Sequence, residues 1–210
     1  MTTLTAPTPP PTTVSGPTTY GTDASIARFT VAQYERMVET GILGKYDKVE
    51  LLEGWVVLKM ARNPPHDCTI QRVQSRLYRV LPAGWDIRTQ LAATLPDSQP
   101  EPDIAVVRGD YTSYTKRHPG PADIGLLIEI ADSSLQRDME DKPRIYARAG
   151  VAAYWVLDVT NREVIAYTDP PAAGEPAVYG TCDRYRPGDT IPFILDGTRH
   201  ADLPAAELVG

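Results

Sequence analysis

The stretch IGLLIEIAD, residues 124–132, constrains this chain more than any other. A near-continuous apolar run of that length is a strand buried on both faces, so the sheet that holds it must be covered on both sides. One residue breaks the run. Glu129 puts a carboxylate where an unpaired charge costs several kcal/mol, so it must be held with a cation, a metal ion or a proton. Two readings follow from the residue alone: an internal ion pair with an Arg or Lys, or a ligand to a metal.

The surrounding pattern predicts the covering layers. Thr30 and Gln33 have the spacing of a capping box, ahead of a short helix to Glu39 with Gly41 as its stop. KVELLEGWVVLKM carries two apolar runs around Glu53-Gly54 and predicts a hairpin. After Pro64-Pro65 the spacing predicts a helix from about His66 to Leu81, burying Ile70, Val73, Leu77 and Val80. Strands are expected in WDIRTQLAATL, PDIAVVR and IGLLIEIAD, then a helix from about Asp138 to Ala149 closed by Gly150. AAYWVLDV and REVIAYTD follow as strands joined across Thr160-Asn161. From Pro170 the Pro- and Gly-rich sequence, with one strand signal in TIPFIL, reads as a covering arm. The fold class is therefore α/β, a mixed sheet flanked by helices with an N-terminal helix and hairpin. Residues 1–25 are rich in Thr and Pro without apolar periodicity and predict a disordered tail, and 210 residues leave one domain over 26–210.

Charge and composition exclude several functions. A net charge of −6 argues against a bulk polyanion binder, so any contact with nucleic acid must be local. No apolar run reaches the ~18 residues of a membrane span and no signal-like segment opens the chain, which predicts a soluble, cytoplasmic protein without a membrane partner. Cys68 and Cys182 lack zinc spacing, in keeping with a reducing compartment. Gly-rich phosphate loops, paired-histidine zinc motifs and a serine nucleophile elbow are missing from the sequence.

Asp103, directly after Pro102, opens the strand before Glu129, and two such carboxylates on adjacent strands can share a hard divalent ion. The helix that follows places Asp138, Lys142 and Tyr146 one turn apart on one face. Lys142 is then either a lysine aimed at a metal–carboxylate site or a surface lysine paired with Asp138. Arg72, Arg76 and Arg79 share a stripe of the preceding helix, read as a solvated face or as a phosphate-facing patch. His66 starts that helix, where it caps the helix or touches a phosphate, and His118 and His200 lie in loop-like sequence with no role assigned.

The ordered set PEPDIAVV, LLIEIADSS and RDMEDKPRIYARAGVAAYWVLD resembles the large bacterial family of Uma-type restriction endonucleases, within the PD-(D/E)XK nuclease superfamily. The resemblance runs from about Arg28 to Thr168 and implies a metal-dependent endonuclease that hydrolyses DNA phosphodiester bonds. By that resemblance Asp103 and Glu129 hold Mg²⁺, with Mn²⁺ as the alternative, and the backbone carbonyl of Ile130 is a third ligand. The superfamily lysine two residues after the second acid is replaced here by Ala131, and the resemblance moves its role to Lys142. Lys142→Met is accordingly expected to abolish cleavage while sparing the fold. Glu50, Asp138 and Tyr146 are auxiliary positions, Arg72, Arg76 and Arg79 are the DNA-binding candidates, and a homodimer would cut both strands. The chain departs from the family at Asp132-Ser133-Ser134, where Ser-Pro-Ser is common, so the extra carboxylate either disturbs the metal site or adds an outer ligand. The alternative function is a nuclease-like fold that no longer cuts and serves nucleic-acid or protein interaction.

Overall fold

The first helix of the described residues starts at the capping box. Gln33 N–H donates to Thr30 Oγ1 and Thr30 N–H to Gln33 Oε1, starting α1 (Val31–Glu39), which Gly41 closes at φ +75°. β1 (Val49–Leu52) and β2 (Trp55–Leu58) form the expected hairpin, with Glu53 and Gly54 both at positive φ as a tight two-residue turn requires. The structure is a computed structural model and describes residues 27–44, 46–59, 63–131, 135–172 and 175–210. The expected N-terminal tail, the end of the second hairpin run at Met60 and the Asp132-Ser133-Ser134 segment lie outside the described residues.

α2 (Pro64–Tyr78) starts two residues before the expected point. Pro64 and Pro65 are not breakers ahead of the helix but its first turn, where a missing N–H costs nothing, and Asn63 caps it by accepting the His66 N–H at 3.1 Å. The helix ends at Tyr78, leaving Val80 partly buried outside it. β3 (Trp85–Thr89) is shorter than WDIRTQLAATL suggested, because Gln90 turns to φ +55° and its N–H bonds the Pro102 and Asp103 carbonyls. β4 (Ile104–Arg108), β5 (Ile124–Ala131), α3 (Leu135–Arg148), β6 (Ala153–Asp158) and β7 (Glu163–Thr168) follow the expected order.

The C-terminal part departs most from expectation. The expected strand in TIPFIL is β9 (Thr190–Leu195), but more of the segment is regular than expected: β8 (Thr181–Tyr185) joins the main sheet, and β9 and β10 (Thr198–Pro204) form a hairpin before α4 (Ala206–Val209). Asp196 and Gly197, both at positive φ, make its turn, and Asp-Gly is a strong hairpin signal. β8 and β10 escaped notice because their side chains are mostly polar and exposed.

The main sheet has the order β3-β4-β5-β6-β7-β8, and only β5 and β6 run parallel. A parallel pair needs a crossover, and α3 supplies it. Along β5, Leu126, Ile128 and Ile130 pack with Ile70, Val73 and Leu77 of α2 and with Phe193 and Leu208 from the C-terminal elements. Leu127 and Ala131 pack with Ile145 and Tyr146 of α3 and Leu52 of β1. Both faces are covered, as the apolar run demanded. Glu129 has the parity of the second face, beneath α3.

Candidate active site

Asp103 stands just before β4, and the pairing of Ile104 with Ile128 brings it opposite Glu129. Since β4 begins one residue later, Asp103 Oδ2 takes the Ile130 N–H at 2.9 Å, a side chain standing where a strand carbonyl would. The same oxygen meets His66 Nε2 at 3.0 Å, and Gln90 Nε2 donates to Oδ1 at 3.3 Å. Burial acts to raise the Asp103 carboxyl, but His66, the Ile130 N–H and Gln90 outweigh it and hold it below the usual carboxylate range. Burial likewise acts to lower His66, whereas Asp103 and Asp67 hold it above its ordinary value. These contacts leave Asp103 ionised and fixed in orientation.

Glu129 is held from α3. Lys142 Nζ lies 2.7 Å from Glu129 Oε1 and 3.0 Å from Asp138 Oδ1, and the Tyr146 hydroxyl donates to Glu129 Oε1 at 3.2 Å. The one-turn spacing of Asp138, Lys142 and Tyr146 thus delivers Lys142 and Tyr146 to one carboxylate, with Asp138 holding Lys142 from the turn before. Their helix contains Pro143, whose ring cannot donate, and the Tyr154 hydroxyl donates to the Asp138 carbonyl in this stretch. Burial pushes Glu129 well above the usual carboxylate range; Lys142 opposes that shift, and Asp103, Asp138 and Glu50 add to it. For Lys142 burial acts downward, but Glu129, Asp138 and Glu50 prevail and hold the ammonium well above its ordinary value. The direction for Lys142 reports the negative charge around it, and Lys142 here is a cation, not a base.

Glu50, on β1, completes the set: it is buried, faces the same cavity and accepts the Glu101 N–H at 3.2 Å. The β1–β2 hairpin is anchored to α3 through Glu53, which pairs with Arg144 and, at 2.7 Å, with Arg148. The cavity, of about 400 Å³, is lined by Glu50, Asp103, Glu129, Asp138, Lys142 and His66 among others. Four of these are buried carboxylates facing one buried lysine, and over the whole lining six carboxylates meet the four cations Lys48, Lys59, Arg137 and Lys142, so with His66 neutral and every carboxyl ionised two negative charges are in excess. A divalent cation fits that deficit. Among the described residues no three His, Cys, Asp or Glu side chains form a ready-made cage. Mg²⁺ does not ask for one, since it keeps several waters and is held by one or two carboxylates. The oxygen donors of Asp103 and Glu129 suit such an ion.

The expected arginine rim is not beside this cavity. Arg72 donates to the Gly210 carbonyl, Arg76 pairs with Glu207 at 3.2 Å, and Arg79 caps the far end of α2 from His66. Thirteen residues of helix at ~1.5 Å each put Arg79 some 20 Å from His66. Arg72 and Arg76 thus face α4, within the expected covering arm. Lys48, Lys59 and Arg137 line the cavity instead. Gln90 was missed altogether, because the apolar stretch around it read as strand. His66 was discernible only as a helix start; the Asn63-Pro64-Pro65 cap carries the signal that fixes its place. Neither His118 nor His200 lines the cavity.

Residues 31–195 match the family Uma2, described as "Putative restriction endonuclease". Among solved structures, the chain is similar to "a putative nuclease belonging to DUF820 from Anabaena variabilis ATCC 29413", with a TM-score of 0.66 at 15% identity over 86% of this chain and 97% of that one. At that identity the likeness is one of fold, a mixed sheet flanked by helices. No curated protein matches the chain. The family match spans α1 to β9 and so contains the whole cavity, from Glu50 through Asp103 and Glu129 to Lys142. The chain belongs to the Uma2 family of restriction-endonuclease-like proteins.

Proposed function

We propose that the protein is a metal-dependent endonuclease of the PD-(D/E)XK type that hydrolyses DNA phosphodiester bonds. The observation that carries this reading is the meeting of Asp103, Glu129 and Lys142 in one negatively charged cavity, drawn from the residue ahead of β4, from β5 and from the crossover helix. Asp103 and Glu129 would hold Mg²⁺, or Mn²⁺ in its place, with the Ile130 backbone beside them. The bound ion would supply Lewis-acid polarisation of the phosphate and a water acidified toward neutral pH. Asp103 comes to this task pre-oriented by His66, Gln90 and the Ile130 N–H. Lys142, kept protonated by its carboxylates, would offset charge that develops on the phosphate oxygens. Tyr146 and Asp138 keep Glu129 and Lys142 in register. One site of this kind cuts one strand, and a homodimer would present two.

The ion pairs on both carboxylates favour a second reading, a nuclease fold that no longer cuts and serves as an interaction module, because a buried ion-pair cluster can persist for structure alone. Incubation of the protein with plasmid and oligonucleotide DNA in Mg²⁺, Mn²⁺ or EDTA separates the two. Metal-dependent products that vanish in Asp103→Asn and Glu129→Gln support the nuclease; no products with either ion promote the module.

A further inference from the structure

Burial divides the cavity into two parts of opposite character. Its floor is the buried set of Glu50, Asp103, Glu129 and Asp138 with Lys142, four carboxylates against one ammonium. The more accessible part of the lining reverses that balance, with Lys48, Lys59 and Arg137 against Asp47 and Glu101. The backbone brings these three cations together. Pairing in the β1–β2 hairpin runs one residue past Val49 and Leu58, where the Lys59 N–H donates to the Lys48 carbonyl at 2.8 Å, so two lysines stand opposite each other at its open end. Like charges in that position destabilise a strand pair. Lys48 precedes Glu50 by two residues, so period-two alternation puts both on the cavity side of the hairpin, Lys48 about 7 Å further out. Arg137 reaches the same end from α3, donating to the Leu58 carbonyl at 3.0 Å.

Most of this positive charge is available. A carbonyl takes a hydrogen bond from Arg137 and leaves the guanidinium charge uncancelled, and among the described residues neither Arg137 nor Lys48 forms an ion pair with a carboxylate. Asp47 accepts the Gly44 N–H at 2.7 Å and so faces its own loop. Lys59 is paired with Glu101 at 2.6 Å, but their side chains are 27% and 37% exposed, and a pair so open to water is weak enough to be exchanged for another anion. A phosphodiester carries the single negative charge and the acceptor oxygens that such a cluster takes.

We infer that Lys48, Lys59 and Arg137 form a subsite for one phosphodiester of the substrate strand, the neighbour of the scissile one over Asp103 and Glu129. The assignment rests on the nuclease reading. It gives an acidic cavity a means of drawing in a polyanion, with the subsite holding the backbone and the floor left to the metal ion. Fluorescence anisotropy of the full chain in Ca²⁺ reads it, with a short labelled DNA as single strand or duplex, whichever the wild type binds more tightly. Lys48→Gln and Arg137→Gln should each weaken binding about fivefold or more, and Lys48→Arg should bind as the wild type does. The two Gln substitutions together should lower the slope of log Kd against log salt by about 0.7–0.9, the loss of one phosphate contact. Lys48→Gln relieves a like-charge pair, so its melting temperature should not fall, whereas loss of a merely structural lysine would lower it. DNA affinity and salt slope unmoved by both substitutions, weaker binding matched by a fall in the melting temperature of Lys48→Gln, or no DNA binding by the wild type overturns the inference. Cleavage assays in Mn²⁺ keep its failure apart from that of the nuclease reading: cleavage by the wild type with affinity unmoved by the substitutions sinks only the subsite, and binding weakened as expected without any cleavage sinks only the nuclease.

Discussion

Replacing Lys142 by Met tests whether the buried charge cluster works as described. The variant removes the one buried cation from a pocket that holds Glu50, Asp103, Glu129 and Asp138. Nζ sits 2.7 Å from Glu129 and 3.0 Å from Asp138, and all three side chains are nearly solvent-free, so screening by water gives no relief. Removing one partner of a buried pair costs about 3–5 kcal/mol, because the remaining charge stays desolvated and uncompensated. For a chain of this length that is a fall in melting temperature of about 6–20 °C in EDTA. The expectation from the sequence that Lys142→Met spares the fold is therefore revised. Chemical denaturation followed by circular dichroism, in EDTA and then in saturating Mg²⁺, is the assay. Mg²⁺ should stabilise the variant more than the wild type, since an ion at 100 times its Kd contributes about 2.7 kcal/mol where nothing competes for the site. The pair Lys142→Met with Glu129→Gln should recover part of the loss, giving a coupling of at least about 1 kcal/mol in a double-mutant cycle. A Lys142→Met protein within about 1 kcal/mol of wild type in EDTA, uncoupled to Glu129, would refute the charge argument.

Asp103→Asn should abolish metal-dependent cleavage and weaken Mn²⁺ binding in calorimetry, because the neutral amide loses both the ion and the His66 contact. Burial acts to raise Glu53, but Arg144 and Arg148 outweigh it and lower its carboxyl, so its contribution to stability is full above the ordinary value of 4.5 and is lost as pH falls through the folded value. Arg148→Ala should flatten that acid limb of a stability-versus-pH curve. Gln90→Gly relieves a left-handed backbone while deleting a hydrogen bond to Asp103, so cleavage should fall with no loss of melting temperature, whereas Gln90→Ala should lose both. Arg72→Ala with Arg76→Ala should lower stability through α4 and leave the salt dependence of DNA binding unchanged, as measured by anisotropy across a salt series.

Local chemistry determined much of this protein without help from the fold. The capping box at Thr30 and Gln33, the Glu53-Gly54 turn and the buried run around Glu129 are short-range features whose physics is complete within a few residues. Helical spacing alone carried Asp138, Lys142 and Tyr146 to one face, and a carboxylate in an apolar strand already required a partner. Which partner it has is a property of the tertiary structure, because Lys142 reaches Glu129 only when α3 crosses back over β5, and Glu50 faces the same cavity from the hairpin whose Glu53 turn is tied to α3. His66 and Gln90 converge on Asp103 from segments 37 and 13 residues away, and neither has a local signature of that contact. The arginine stripe shows the same limit from the other side. Its periodicity was plain, but only the packing of α4 against α2 decided that Arg72 and Arg76 serve the C-terminal segment, since a stripe on a helix does not say what lies across from it.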